Sequence, residues 1–290
     1  MAGITDSVWM YTPSFALAVL ASILYSLTFL WLFYLTIIKY RAWYFTCVVI
    51  GAAIEVIGYA LRCASIKNPT DIGTFASSLS LVVLAPVLVA AGNYLLIGRL
   101  IRVTLPANNH RVFGVHGRLL TRIFVGFDIV SFLVQGGGSG VASSVEWVGG
   151  TADVGVKILI AGLGLQAIAF LFFMAIFARF HFLTRSAAVR EAPVGWEKVV
   201  VAVYVSSVLI LIRCIYRVAE FAEGVEGYSF THEWMFWVFE AVPMLIAIGT
   251  FCFFHPSAYL GRDGVFRGGR LLTPERFGYR SRVPGELLSL

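Results

Sequence analysis

The chain has 290 residues, 59% of them hydrophobic and only 13% charged, with a mean hydropathy of +0.85. Soluble domains run near ~45–50% apolar and ~25% charged, so composition excludes a soluble globular protein, a disordered chain and a disulfide scaffold. The net charge of +6 collects at the ends of apolar runs and in a basic tail, which assigns it to a membrane surface and gives no reason to expect nucleic acid as a partner.

Residues 1–14 contain no Lys or Arg and one acid, Asp6. They lack the positive start of a cleavable signal peptide, so the first span is expected to be retained, with Pro13 and Ser14 opening its helix. Seven apolar stretches follow, at 15–38, 43–62, 75–98, 121–142, 155–178, 197–217 and 234–254. At ~1.5 Å of rise per residue each crosses a ~30 Å hydrocarbon core. Runs such as Leu79–Val89 and Ala167–Phe177 are apolar without alternation, which selects helices over a barrel. The fold class is all-α: a polytopic membrane protein, a seven-helix bundle filling 15–254, followed by a basic tail at 255–290 with six arginines from Arg262 to Arg282. Sorting Lys and Arg onto alternate sides gives 17 against 5, which predicts an extracellular N-terminus and a cytoplasmic C-terminus.

Ionisable groups at mid-bilayer cost ~2.5–3.5 kcal/mol each on insertion scales, and this chain carries several. The second stretch has Glu55, Tyr59 and Arg62 on one helical face at i, i+4, i+7. The third has Asn93 and a helix distortion expected at Ala85-Pro86. The fourth carries Asp128, Ser131 and Gln135, again on one face, and ends in the Gly136–Gly140 run, read either as a gate or as a loosened helix end. Gln166 lies in the fifth stretch; Arg213, Arg217 and Glu220 share a face in the sixth; Glu240 precedes Pro243 by three in the seventh. Gly51, Gly58, Gly92, Gly98, Gly126, Gly162 and Gly164 are expected to let helices approach closely.

Two readings of the charges stay open. One is a structural ion-pair network, with Arg213 or Arg217 against Glu55 or Glu240. The other is an outward-facing polar cavity that binds a charged or amphipathic ligand. Cys63 and Cys214 fall near the same membrane face, so a disulfide and free thiols are both admitted. The five histidines lie in loops or at span ends, and no phosphate-binding loop is present. No metal, no cofactor and no catalytic residue are therefore expected.

Taken in order, certain blocks form a pattern: Tyr11-x-Pro13-Ser14; Glu55-x-x-Gly58-Tyr59-x-x-Arg62; Leu84-Ala85-Pro86 followed by Ala90-Ala91 and Tyr94. Then come Asp128-x-x-Ser131-x-x-x-Gln135-x-x-Gly138, Gly162-x-x-x-Gln166, Arg213-x-x-Tyr216-Arg217-x-x-Glu220, Glu240 and His255-Pro256. Their order and spacing over roughly 11–260 resemble the fungal RTA-like family of seven-span proteins, also described as lipid-translocating exporters. The resemblance implies a fungal plasma-membrane location and a role in moving or resisting amphipathic lipids: sphingoid long-chain bases, aminosterols, lysolipid-like drugs. It implies no enzymatic activity. A lipid-responsive seven-span receptor without transport is the alternative. The ligand set is Glu55, Tyr59, Arg62, Asp128, Gln135, Gln166, Arg213, Arg217, Glu220 and Glu240. In it the acids would receive an ammonium head, Tyr59 would add a cation–π contact, and the arginines would neutralise the acids or hold a phosphate or carboxylate. The partners are that lipid, the bilayer lipids and, as an option, a second copy of the chain.

Overall fold

A computed structural model describes residues 9, 11–104, 111–112, 115–144, 150–186, 195–224 and 227–260. Among them are seven helices long and apolar enough to cross a membrane, as the sequence predicts. The basic tail beyond residue 260 lies outside the described residues.

The first span is α1 (Phe15–Phe33), which widens into a π-helical turn at Tyr34–Lys39. Ser14 caps it: the hydroxyl accepts from the Leu17 amide at 3.4 Å. Buried Ala18, Ala21, Tyr25 and Leu32 fall at i, i+3, i+7 and i+14, while Leu20, Leu27, Leu30 and Trp31 are exposed. One stripe thus packs inward and the other faces lipid. The chain reverses at Arg41, held at φ 48°, passes a 3-10 turn at Trp43–Phe45 and enters α2 (Thr46–Lys67). Next come α3 (Ile72–Thr104), α4 (Gly117–Ser143), α5 (Gly150–Ser186) and α6 (Trp196–Glu223). A two-residue antiparallel pair, β1 (Arg111–Val112) with β2 (Val115–His116), interrupts the α3–α4 connection. After the single turn α7 (Tyr228–Thr231), the seventh span runs Glu233–Leu260. It consists of α8 (Glu233–Phe236), a π-helical turn (Trp237–Ala241), α9 (Val242–Phe253) and α10 (Pro256–Leu260).

Most helices outrun the apolar stretches that announce them; α3 and α5 do so by several residues at each end. Apolarity marks where the hydrocarbon lies, whereas the backbone hydrogen-bond ladder continues into the interface until something stops it. For α6 the stop is Gly224 at φ 79°. The glycine run at 136–140 does not loosen the end of α4, which stays helical to Ser143. Its use is packing. A Cβ on Gly138 would stand 2.5 Å from the Leu159 amide nitrogen and 2.7 Å from the Gly155 carbonyl oxygen, so α4 and α5 touch backbone to backbone there. Gly51, Gly58 and Gly162 likewise approach neighbouring backbone, Gly92 is crowded by the Val48 side chain, and Gly126 and Gly164 meet nothing within 4 Å. All four cysteines are free.

The core on the α3–α4–α5 side is aromatic. Phe170, Phe173, Phe177 and Phe180 line one face of α5 and meet Tyr94, Phe124 and Tyr204. At the end of the bundle opposite Ser14, the His255 Nε2 meets the Thr36 hydroxyl at 3.1 Å, and its ring stacks on Tyr40. This contact ties the π turn of the first span to the end of the seventh.

Candidate functional site

Five ionisable side chains from three spans converge inside the bundle: Glu55 of α2, Arg213, Arg217 and Glu220 of α6, and Glu240 of the seventh span. None is more than 5% exposed. The local sequence explains how they meet. Pro86 has no amide hydrogen, so the Val82 carbonyl one turn earlier in α3 loses its helical partner. The Arg213 Nη2 donates to that carbonyl at 3.2 Å and to the Glu240 Oε1 at 2.5 Å. Pro243 likewise removes a donor just after the π turn that carries Glu240. The Tyr25 hydroxyl donates to the Ala241 carbonyl at 2.7 Å and pins that turn to α1.

Arg217 completes the network. Its Nη1 donates to the Glu220 Oε2 at 2.6 Å, and its Nε lies 3.1 Å from the Glu240 Oε2 as an ion pair without hydrogen-bond alignment. The Tyr216 hydroxyl donates to the Glu220 Oε1 at 3.0 Å. Two guanidiniums thus face two carboxylates. Glu55 is the third carboxylate: it is fully buried, and neither oxygen has a hydrogen-bond partner or an ion pair among the described residues. Arg213, Arg217 and Glu240 lie within electrostatic reach of it, as do the Tyr25 and Tyr59 hydroxyls. Tyr59 stacks on Tyr25 (ring centroids 4.8 Å apart) and on Trp237 (6.0 Å), which joins α1, α2 and the seventh span beside the cluster.

Arg62 stands apart from this network, nearer Ser14. Its Nη2 donates to the Tyr11 hydroxyl at 2.7 Å and lies 3.7 Å from the Glu233 Oε1. The guanidinium sits 4.7 Å from the Trp9 ring, 4.1 Å from Phe236 and 5.3 Å from Trp237. Glu233 also accepts from the Ser14 amide at 3.0 and 2.9 Å, which docks the N-terminal segment on the seventh span. Burial raises the Tyr11 hydroxyl above its ordinary 10.0, and the Arg62 charge pulls the other way. Sequence reasoning missed Trp9, Tyr11, Glu233 and Trp237 here. The Tyr11-x-Pro13-Ser14 block marks the segment, but nothing in the sequence marks what it touches.

The remaining candidates lie on the α4–α5 side. The Gln135 Nε2 donates to the Gln166 Oε1 at 2.9 Å, joining two residues read separately from the sequence. Asp128 faces Tyr94 across α3 and α4, and neither group meets hydrogen-bond geometry; the buried Ser131 hydroxyl is also unpartnered. Asn93 donates to Ser206 and Ser207 at 3.1 and 3.2 Å. Cys214 lies within electrostatic reach of Arg213, Asp128 and Glu240, between the two polar groups. The ten candidates therefore form one charge cluster, the separate Arg62 site, and a polar seam through α4 and α5.

On the membrane face beside the cluster, Ile212, Ile215, Tyr216, Met235 and Phe239 line a groove of about 240 Å³. Tyr216 stacks on Phe239 (5.7 Å) and separates this apolar groove from Glu220 and Arg217. A larger groove of about 430 Å³ runs between α1 and α2, lined by Val19, Ser22, Ile23, Ser26, Ala60 and Cys63 among others.

A family model described as RTA1 like protein matches residues 48–263. The chain is 34% identical over 203 residues to protoporphyrin uptake protein 1 of Saccharomyces cerevisiae, covering 69% of this chain and 65% of that one. It is 28% identical over 272 residues to a probable lipid transporter, atnI, of Emericella nidulans, covering 90% and 70%. It is 28% identical over 259 residues to a sphingoid long-chain base transporter of Saccharomyces cerevisiae, covering 76% and 66%. The chain thus spans just under two thirds of the length of the two yeast relatives. No solved structure matches.

Proposed function

The chain belongs to the family of RTA1-like proteins, and from that premise we propose that it moves amphipathic lipids, sphingoid long-chain bases foremost, across a fungal plasma membrane. The observation that carries this reading is the buried cluster. Replacing a buried ion-pair network by well-packed apolar residues is often neutral or stabilising, so stability alone gives little reason to place five ionisable groups inside a membrane bundle. The cluster receives a charged head, and the groove lined by Ile212, Ile215 and Phe239 holds the alkyl chain, with Tyr216 between the two. Because the cluster is closed to solvent in this conformation, loading requires the seventh span to move against α6. Two relatives whose names specify lipid or long-chain-base transport support the class of cargo.

The test is flux. Purified protein in liposomes is expected to move a fluorescent sphinganine across the bilayer faster than protein-free vesicles do, and Glu240→Gln is expected to slow it at least tenfold. Saturable binding with no flux would transfer the reading to a lipid-responsive receptor. Neither binding nor flux would sink both.

A further inference from the structure

We propose that Glu55 is an exchange site at which a proton and the ammonium head of a single-chain lipid replace one another. The proposal rests on the lipid-binding reading above and adds to it a reason for the charge imbalance and a coupling to protons.

Arg213 and Arg217 are engaged by Glu240 and Glu220, so with all five groups ionised the cluster carries one negative charge in excess, on Glu55. A buried carboxylate with neither hydrogen bond nor ion pair is costly and is retained only when something neutralises it. The groups facing Glu55 from the packed elements are Tyr25 of α1, Tyr59 on its own helix, Arg213 and Arg217 of α6, and Glu240 of the seventh span. Glu240 repels the charge. The two guanidiniums attract it from beyond ion-pair distance while bound to other acids. The Tyr25 and Tyr59 hydroxyls lie within electrostatic reach of Glu55 and make no hydrogen bond to it. A buried carboxylate carrying an uncompensated negative charge suits a cation, and the ammonium head of a single-chain lipid is the cation that the lipid-binding reading supplies. That carboxylate does not suit an anionic head, which would add to the excess negative charge.

Two species satisfy the site: a proton when it is empty, and an ammonium when it is loaded. The exchange is balanced. The Glu55 carboxyl releases its proton to water, the carboxylate pairs with the incoming ammonium, and the reverse occurs on release; no bond other than O–H breaks. Proton release makes binding pH-dependent with a fixed sign. Affinity for the cationic lipid rises with pH, by up to ~10-fold per unit while Glu55 is protonated in the empty protein. A proton gradient across the membrane would then bias the direction in which the lipid moves.

The experiment is titration calorimetry of the full-length protein in nanodiscs with sphinganine at pH 7, repeated in phosphate and in Tris. The difference in apparent enthalpy between the buffers counts the protons released. Release of about one proton per lipid is expected for the wild type and for Glu55→Asp. Glu55→Gln is expected to release none and to bind at least tenfold more weakly. N-acetylsphinganine, whose head is neutral, is expected to release no proton from any of the three proteins. Binding of sphinganine with no proton release, or with the same release in Glu55→Gln, overturns the exchange site and leaves the lipid-binding reading standing. Failure of the wild type to bind sphinganine overturns both. If the Glu55 variants do not fold, the wild-type contrast between sphinganine and its N-acetyl derivative decides alone: equal proton counts overturn the proposal.

Discussion

Arg213 is the residue on which the cluster turns, because it donates to two groups that have no other side-chain partner among the described residues: the Val82 carbonyl freed by Pro86 and one oxygen of Glu240. Arg213→Met is expected to lower stability by about 3–5 kcal/mol, since it leaves a buried carboxylate and a buried carbonyl short of partners. The double variant Arg213→Met with Glu240→Gln is expected to recover a part of that loss. Thermal unfolding in detergent measures both, and a double variant no more stable than the single one would refute the account. This contact was half legible in the sequence. Arg213 and Glu240 stand out because ionisable residues in apolar runs are rare, and a proline at 86 points to an unpaired carbonyl four residues earlier. What no periodicity gives is which acid an arginine chooses. Glu55 was as good a partner on paper as Glu240, yet the structure joins both arginines to Glu240 and leaves Glu55 with neither. The partners of Arg62 were hidden for a different reason. They come from Tyr11 and Glu233, more than 50 residues away on either side, with no repeat to link them.

At the scale of elements, helix existence was readable and helix contact was not. Apolar runs find the spans because lipid demands them, but glycine spacing alone does not separate a packing glycine from an idle one. Gly138 and Gly126 both sit in α4. Only the first has a neighbouring backbone within reach of a Cβ. Gly138→Ala is expected to force α4 away from α5 and to cost about 1–3 kcal/mol, the ordinary range for overpacking. Gly126→Ala meets open space and is expected to be neutral or stabilising by up to ~1 kcal/mol through helix propensity. Equal unfolding midpoints for the two variants would disprove this pairing of α4 with α5. The start of α3 offers a pH-dependent test. Asp71 accepts from the Thr74 hydroxyl and from the amides of Gly73 and Thr74. The hydrogen bond from the Thr74 side chain leads in holding its carboxyl below the ordinary aspartate value of 3.8. A lowered acid stabilises the folded form above its unfolded value, and that contribution is lost as pH falls through the folded value. Amide exchange at residues 73–75 is therefore expected to lose protection in acid in the wild type. Asp71→Ala should show the same loss already at neutral pH, and unchanged exchange in that variant would remove Asp71 as the cap.

For the whole molecule, charge along the bundle axis bears on orientation. Lys39, Arg41, Arg99, Arg122, Arg179 and Lys198 lie toward the end that carries the His255 contact. Asp71, Glu223 and Glu233 lie toward the end where Ser14 docks. Positive residues are retained on the cytoplasmic side, so we propose that Ser14, Arg62 and Asp71 face outward. In that orientation α6 and the seventh span bring the charge cluster closer to the external face than to the cytoplasmic one. A lipid head released from Glu55 then has its shorter route outward, and a proton entering from an acidic exterior would displace it in that same direction. Single cysteines at two exposed positions separate the alternatives: Asn68→Cys at the α2–α3 connection, and Glu197→Cys at the start of α6. A membrane-impermeant maleimide applied to intact cells is expected to label Asn68→Cys above the background of the four native thiols. It is expected to label Glu197→Cys only after the cells are opened. The reverse pattern would invert the molecule and place the charge cluster nearer the cytoplasm, while a proton-for-lipid exchange under an acidic exterior would still carry lipid outward.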